Sequence, residues 1–250
     1  MPAMARLLID GAAAKLTTAQ ILPDEISGVR SSLVCVPPNG TFYQPASTDE
    51  DRVFLILNGG GISSSGGIKN TLERQMMTHF PVGKSVEIIG GGIEGIAFLV
   101  LHLALRTADL ADISSFDERC RQPYLKKLSE GERYGESFKS PQTISRTILP
   151  EGIVPRVAIG TVESRGPDTV GLHCHPMLEQ YFLGLDGNDI TVVTDGVRTR
   201  LGAFELLHIP LGSSHGVEVD EGCRLHYMWM DFFLDRHGQD WLKEHRPITP

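Results

Sequence analysis

The feature that most constrains this chain is a skeleton that occurs twice. It consists of an aliphatic or aromatic strand, a glycine turn, and then Pro-x-Gly-x-x followed by valine or histidine. In the first copy DEDRVFLILNGGG leads to FPVGKSVEI, and in the second MLEQYFLGLDGND leads to IPLGSSHGVEV. The copies share pattern rather than identity. Such self-similarity points to one β unit duplicated in tandem, which accounts for a length of 250 residues, ample for a substantial core.

Around this skeleton, short β-branched runs recur between turn signals, at Arg52–Asn58, Ser85–Ile89, Arg156–Val162, Glu179–Leu185, Asp189–Thr194, Phe204–Ile209 and Arg224–Phe232. The chain therefore reads as all-β. Its expected organisation is an N-terminal unit over 1–105, a polar crossing segment over 106–150 with helix near 107–129, and a C-terminal unit over 151–234. A short docking helix and loose tail carrying Trp241 and Leu242 are expected over 235–250.

A formal charge of -8 argues against a nucleic-acid binder. The longest apolar run, Ile96 to Leu105, is interrupted by His102 and is far shorter than the roughly 20 residues that span a bilayer, so no membrane partner is expected. The first residues lack a signal-peptide pattern, and Cys35, Cys120, Cys174 and Cys223 have no paired spacing; reduced thiols and a cytoplasmic location are expected.

The densest chemical signal is Gly171-Leu-His-Cys-His-Pro-Met-Leu-Glu-Gln-Tyr. Residues i and i+2 of a strand share a face, so His173 and His175 would project together while Cys174 points away. Pro176 turns the chain, which lets Glu179 open the next strand toward the same point. Downstream, the turn in Pro210-Leu-Gly-Ser-Ser-His215 delivers a third imidazole. Three imidazoles and one carboxylate suit one divalent transition metal, whether Mn, Fe, Zn, Ni or Cu.

These residues resemble the two motifs of the cupin superfamily, approximately G-x5-H-x-H-x3/4-E-x6-G and G-x5-P-x-G-x2-H-x3-N. The match spans most of the second half. It departs in having six residues between Gly166 and His173, the turn glycine Gly187 one place late, seven residues between Gly202 and Pro210, and Val219 in place of the final Asn. The resemblance implies a double-stranded β-helix, or jelly-roll barrel, with two barrels in tandem. It implies metal ligands His173, His175, Glu179 and His215. The first half resembles a cupin without its metal: Gln44-Pro-Ala-Ser-Thr-Asp-Glu-Asp replaces the histidine pair, and Val86 stands where His215 does.

Two other motifs lead elsewhere. Gly90, Gly92 and Gly95 satisfy G-x-G-x-x-G, but no βαβ continuation follows, so a glycine-rich hairpin is expected. Gly83-Lys84-Ser85 lacks the earlier glycine of a phosphate loop. His79, His102, His237 and His245 have no ligand spacing, whereas Tyr181, His208 and His226 are placed as acid–base groups near the metal. Glu205 and Asp231 read as rim residues. A six-coordinate metal with these ligands leaves two positions for a small oxygen-rich substrate such as a sugar, sugar acid or keto acid. The chemistry expected is metal-assisted proton transfer of isomerase or lyase type, in line with a looser likeness of HCHPMLEQYF and SSHGVEV to uronate-type sugar isomerases. An Fe-, Ni- or Cu-dependent dioxygenase and a non-catalytic small-molecule-binding bicupin are the alternatives. A homodimer is expected.

Overall fold

The computed structural model describes residues 2–9, 14–115, 122–236 and 238. The described chain is mostly antiparallel strand and divides into two compact units. None of its helices is long and apolar enough to cross a membrane. Cys35, Cys174 and Cys223 are free thiols, and Cys120 lies outside the described residues.

One unit comprises residues 7–130 and 152–155. Its main sheet runs, in spatial order, Tyr124–Lys127, Met76–Phe80, Glu50–Ser65, Ile96–Ala104, Val29–Val36 and Thr17–Ile21. The long strand Glu50–Ser65 also pairs with Val86–Gly90 and Ile68–Glu73, and Thr41–Gln44 closes that second layer. It can serve both layers because its register slips between Ile56 and Asn58 and the chain then turns through Gly59 at φ 67°. A Cβ on Gly59 would stand 2.0 Å from the Gly95 carbonyl oxygen, so only glycine fits this corner. Gly90 to Gly95 connect Val86–Gly90 to Ile96–Ala104, but the expected hairpin is not formed: the first strand pairs with Thr41–Gln44 and Glu50–Ser65 in the second layer, and the other lies between Glu50–Ser65 and Val29–Val36 in the main sheet, so the glycine-rich turn carries the chain from one layer to the other. Inward residues fill the interior, with Phe42, Phe54, Phe80 and Phe98 meeting edge to face at centroid distances of 5.3 to 5.6 Å. Val86 is part of this apolar core.

The other unit comprises residues 1–6, 131–151 and 156–250. A seven-stranded sheet runs Met4–Arg6, Glu205–Ile209, Leu178–Gly184, Arg224–Phe233, Val157–Arg165, Ile144–Leu149 and Glu132–Tyr134. A four-stranded sheet, Asp168–His173, His215–Val219, Asp189–Thr194 and Val197–Gly202, faces it across a core that includes Val170, Phe182, Val192, Leu207 and Val217.

The expected boundaries therefore shift. Met4–Arg6 belongs to the second unit, where Met4 pairs with Leu207 and Arg6 with Glu205. The segment 106–150 is no simple linker. Among the described residues its helix spans Thr107–Ser115, while Tyr124–Lys127 pairs with Met76–Phe80 and the strands Glu132–Tyr134 and Ile144–Leu149 extend the second unit's sheet. Edge strands are half-solvated, so their composition is as polar as a loop's. The docking helix and tail expected over 235–250, with Trp241, Leu242, His237 and His245, lie almost wholly outside the described residues.

At one margin of the first unit's sheet, Glu50 joins three strands. It accepts hydrogen bonds from Arg52 Nε at 2.9 Å and His102 Nδ1 at 2.8 Å and is ion-paired with Arg30. Burial pushes its carboxyl up, but the bonds from His102 and Arg52 and the charges of His102 and Arg30 outweigh burial and hold it at about 2. Because the folded value lies below the unfolded one, this contribution is fully present above the ordinary glutamate value of about 4.3. It disappears as pH falls through about 2. Glu50→Gln is expected to lower unfolding free energy at pH 7 by about 2 kcal/mol. Urea unfolding of variant and wild type should show that difference shrinking steadily below about pH 4.

Candidate metal centre

The second unit gathers His173, His175 and His215 at one end of the space between its sheets. His173 ends the strand Asp168–His173 and pairs directly with His215, the first residue of His215–Val219. A register shift between Val170 and His173 precedes this pairing, and His175 follows in the turn before Pro176. The ring centroids are 4.4 Å apart for His173 and His215, 5.0 Å for His173 and His175, and 5.5 Å for His175 and His215. Their candidate ligand nitrogens all lie within 4.8 Å of one another.

Backbone carbonyls set the tautomers. Nδ1–H of His173 donates to the Gly171 oxygen at 2.8 Å, and Nδ1–H of His215 donates to the Ser213 oxygen at 3.0 Å. A carbonyl can only accept, so in each neutral ring the lone pair is left on Nε2. His215 Nε2 is buried and has no hydrogen-bond partner. Burial, then the neighbouring His173, lowers the His215 pKa to about 3, so this ring stays neutral through the physiological range. A neutral, pre-oriented imidazole with an unsatisfied buried lone pair fits a metal ion. The set His173, His175 and His215 could therefore bind one.

Beside the triad lies a cavity of about 590 Å³ whose wall includes His173, His175, Gln180, Phe182, Trp229 and Asp231. Phe138 stacks on His173 at 4.3 Å, and Phe182 meets His215 edge-on at 5.6 Å. Gln180 Nε2 donates to Asp231 Oδ1 at 2.7 Å. Burial raises the Asp231 carboxyl to about 7; the Gln180 bond and Lys139 oppose the rise, while Glu136 and Glu151 add to it. Lys139, also in the wall, pairs with Glu136 at 2.5 Å and donates to Ser145 Oγ at 3.0 Å, and burial lowers its pKa.

The residues expected near the metal divide by strand face. Phe182 touches His215 and Tyr227, so positions 180 and 182 of Leu178–Gly184 point inward. Glu179 and Tyr181 point the other way. Glu179 Oε2 accepts from His208 Nε2 at 2.9 Å and is not part of the histidine cluster. Tyr181 is fully buried against His208 and Phe232, with centroids at 5.7 and 5.5 Å. His208 shares that outer face because it pairs with Tyr181 across the strands. His226 is held elsewhere, its Nδ1–H donating to the Asp186 oxygen at 3.1 Å and its backbone N–H to Asn188 Oδ1 at 2.8 Å. Glu179 as a ligand, and Tyr181, His208 and His226 as acid–base groups beside the metal, are thus corrected by strand alternation. Asp231 is a buried wall residue rather than a rim residue. Its alternation with Tyr227 and Trp229 on one strand was the available signal, and the face it belongs to needed the structure. Phe138 and Lys139 sit in the segment read as linker.

No protein-family model and no curated protein matches the chain. Solved structures do. A cupin 2 conserved barrel domain protein from Leptotrichia buccalis superposes with a TM-score of 0.62 at 15% identity, over 90% of this chain and 92% of that one. Protein YlbA from E. coli gives 0.68 at 12% identity, over 91% and 86%. A variant of Bacillus subtilis oxalate decarboxylase gives 0.63 at 14% identity, over 89% and 74%. The chain shares the β fold of these structures.

Trp229 forms part of the cavity wall because Gly160 opposes it across the sheet. A Cβ at Gly160 would lie 2.2 Å from Trp229 Cζ2 and 2.5 Å from the Arg146 carbonyl oxygen. Gly160→Ala is expected to displace the indole at a cost of about 1–3 kcal/mol. Near-ultraviolet circular dichroism and a thermal melt check it; an unchanged aromatic signal with unchanged stability would show that the ring does not depend on this glycine.

Proposed function

We propose that the protein is a metal-dependent enzyme that acts on a small oxygen-rich substrate, a sugar, sugar acid or keto acid, by metal-assisted proton transfer of isomerase or lyase type. The observation that carries this reading is the shared wall. Two of the three imidazoles with convergent nitrogens, His173 and His175, border one cavity together with a buried carboxyl, Asp231, and the cavity is large enough for a small molecule. A divalent transition metal held by His173, His175 and His215 would act as a Lewis acid on a substrate oxygen. Asp231 would carry the proton to or from the substrate carbon or oxygen, the role first expected of Tyr181, His208 and His226. Phe138, Phe182 and Trp229 give that space apolar walls against which a few polar groups can orient a substrate. Lys139 adds a cationic group for a carboxylate or hydroxyl of the substrate. That a Bacillus subtilis oxalate decarboxylase shares this fold is consistent with carboxylate-bearing substrates.

The test is to load the purified protein with Mn, Fe, Zn, Ni or Cu in turn and to screen keto–aldose isomerisation, elimination and decarboxylation on sugar acids and keto acids, with an oxygen electrode in parallel. Asp231→Asn keeps an acceptor oxygen for Gln180. It is therefore expected to retain metal while kcat falls about 10²- to 10⁴-fold. Full activity in this variant would remove Asp231 from the reaction. Oxygen consumption matching turnover would replace proton transfer by a dioxygenase, and tight ligand binding without turnover would make the protein a binding module.

A further inference from the structure

We infer that Gln180, through its amide oxygen, is the fourth protein donor of the metal centre, in the place that the sequence pattern assigns to Glu179. This rests on the reading of His173, His175 and His215 as metal ligands.

Gln180 and Phe182 are two residues apart on one strand, and Phe182 touches His215, so the Gln180 side chain enters the same interior as the triad. It lines the cavity that His173 and His175 also line. The amide is only 5% exposed, and its two ends are treated differently. The nitrogen is committed to Asp231 Oδ1 at 2.7 Å, whereas the oxygen is buried and has no hydrogen-bond partner. A buried acceptor left without a donor is uncommon and calls for a missing partner. An amide oxygen is a neutral donor for divalent cations, and the structure holds this one in a wall with two imidazoles of the metal set.

Glu179 cannot take the role without losing what holds it. Its carboxylate is bonded to His208 on the opposite face, and bringing it inward would require a one-residue slip that reverses every side chain of Leu178–Gly184. That slip would turn Phe182 out of the core and Tyr181 in.

The substitution of amide for carboxylate has a chemical consequence. Three imidazoles and an amide are all neutral, so no protein ligand offsets the charge of a bound divalent ion. The one carboxyl in contact, Asp231, stands behind the amide and orients it. Such a centre favours a substrate that brings its own anionic oxygen, which narrows the class to carboxylates and readily ionised hydroxy-ketones.

Cobalt(II) is a suitable probe, because both its affinity and its visible spectrum report the donor set. Wild type, Gln180→Ala, Gln180→Glu, Glu179→Ala and His215→Ala are stripped with chelator, checked for folding by circular dichroism, and titrated against a chromophoric competitor. Gln180→Ala is expected to weaken cobalt binding by about 10- to 100-fold. Glu179→Ala should leave affinity and spectrum as in wild type. Should Gln180→Ala fail to fold, the near-isosteric Gln180→Glu decides: a carboxylate in place of the amide shifts the cobalt bands, and an unchanged spectrum overturns the inference. Loss of cobalt in Glu179→Ala and His215→Ala but not in Gln180→Ala overturns it while leaving the metal centre in place. If wild type binds no cobalt, or His215→Ala binds it as wild type does, the metal reading itself falls and this inference with it.

Discussion

The contact of Phe182 with His215 fixes which face of the strand Leu178–Gly184 looks into the second unit, and the chemistry of the site follows from it. Once Phe182 is inside, Gln180 is inside and Glu179 and Tyr181 are outside. Registers with the neighbouring strands carry the choice across the sheet. Phe182 opposes Trp229 and Leu207, Gln180 opposes Asp231 and Ile209, and Tyr181 opposes His208 and Met230. A single apolar contact thereby sorts a row of polar residues into cavity wall and outer face. Reversing it would exchange the two sets and leave Asp231 without the amide that binds it.

The two units solve the same packing problem with opposite chemistry. The first fills its interior with an apolar cluster that includes four phenylalanines and Val86. The second keeps an apolar floor of Val170, Phe182, Val192 and Val217 and opens at one end to three imidazoles and a cavity. Position 86 and position 215 occupy corresponding places in the repeated Pro-x-Gly-x-x pattern, so the difference between a packed interior and a candidate metal centre rests on a few side chains set on one scaffold.

Much of this was legible because it is local. The duplicated skeleton reported the tandem β units, and the spacing of His173, His175 and His215 brought three imidazoles to one region, since strand geometry and a tight turn act over a few residues. The choice between Glu179 and Gln180 was not legible. It depends on whether the turn at Pro176 and Met177 consumes an odd or even number of residues before alternation resumes, and the motif spacing of three or four admits both. The faces of Tyr181, His208 and His226 inherit the same ambiguity. Met4–Arg6 pairs with residues some two hundred positions away, a contact no local pattern reports.

The segment 131–151 shows why a polar stretch should not be equated with a connector. Its strands Glu132–Tyr134 and Ile144–Leu149 extend the sheet. Between them the chain lies against the strand Asp168–His173: Lys139 bridges to Val170, and the Phe138 carbonyl accepts from the Gly171 amide at 2.8 Å. Gly171 is the residue whose own carbonyl sets the tautomer of His173, and Phe138 stacks on that same ring. The backbone that orients an imidazole and the aromatic face that covers it are thus tied together through one residue, Gly171. A segment of ordinary polar composition becomes part of the candidate site because its few apolar and cationic side chains, Phe138 and Lys139 above all, line the cavity beside the histidines.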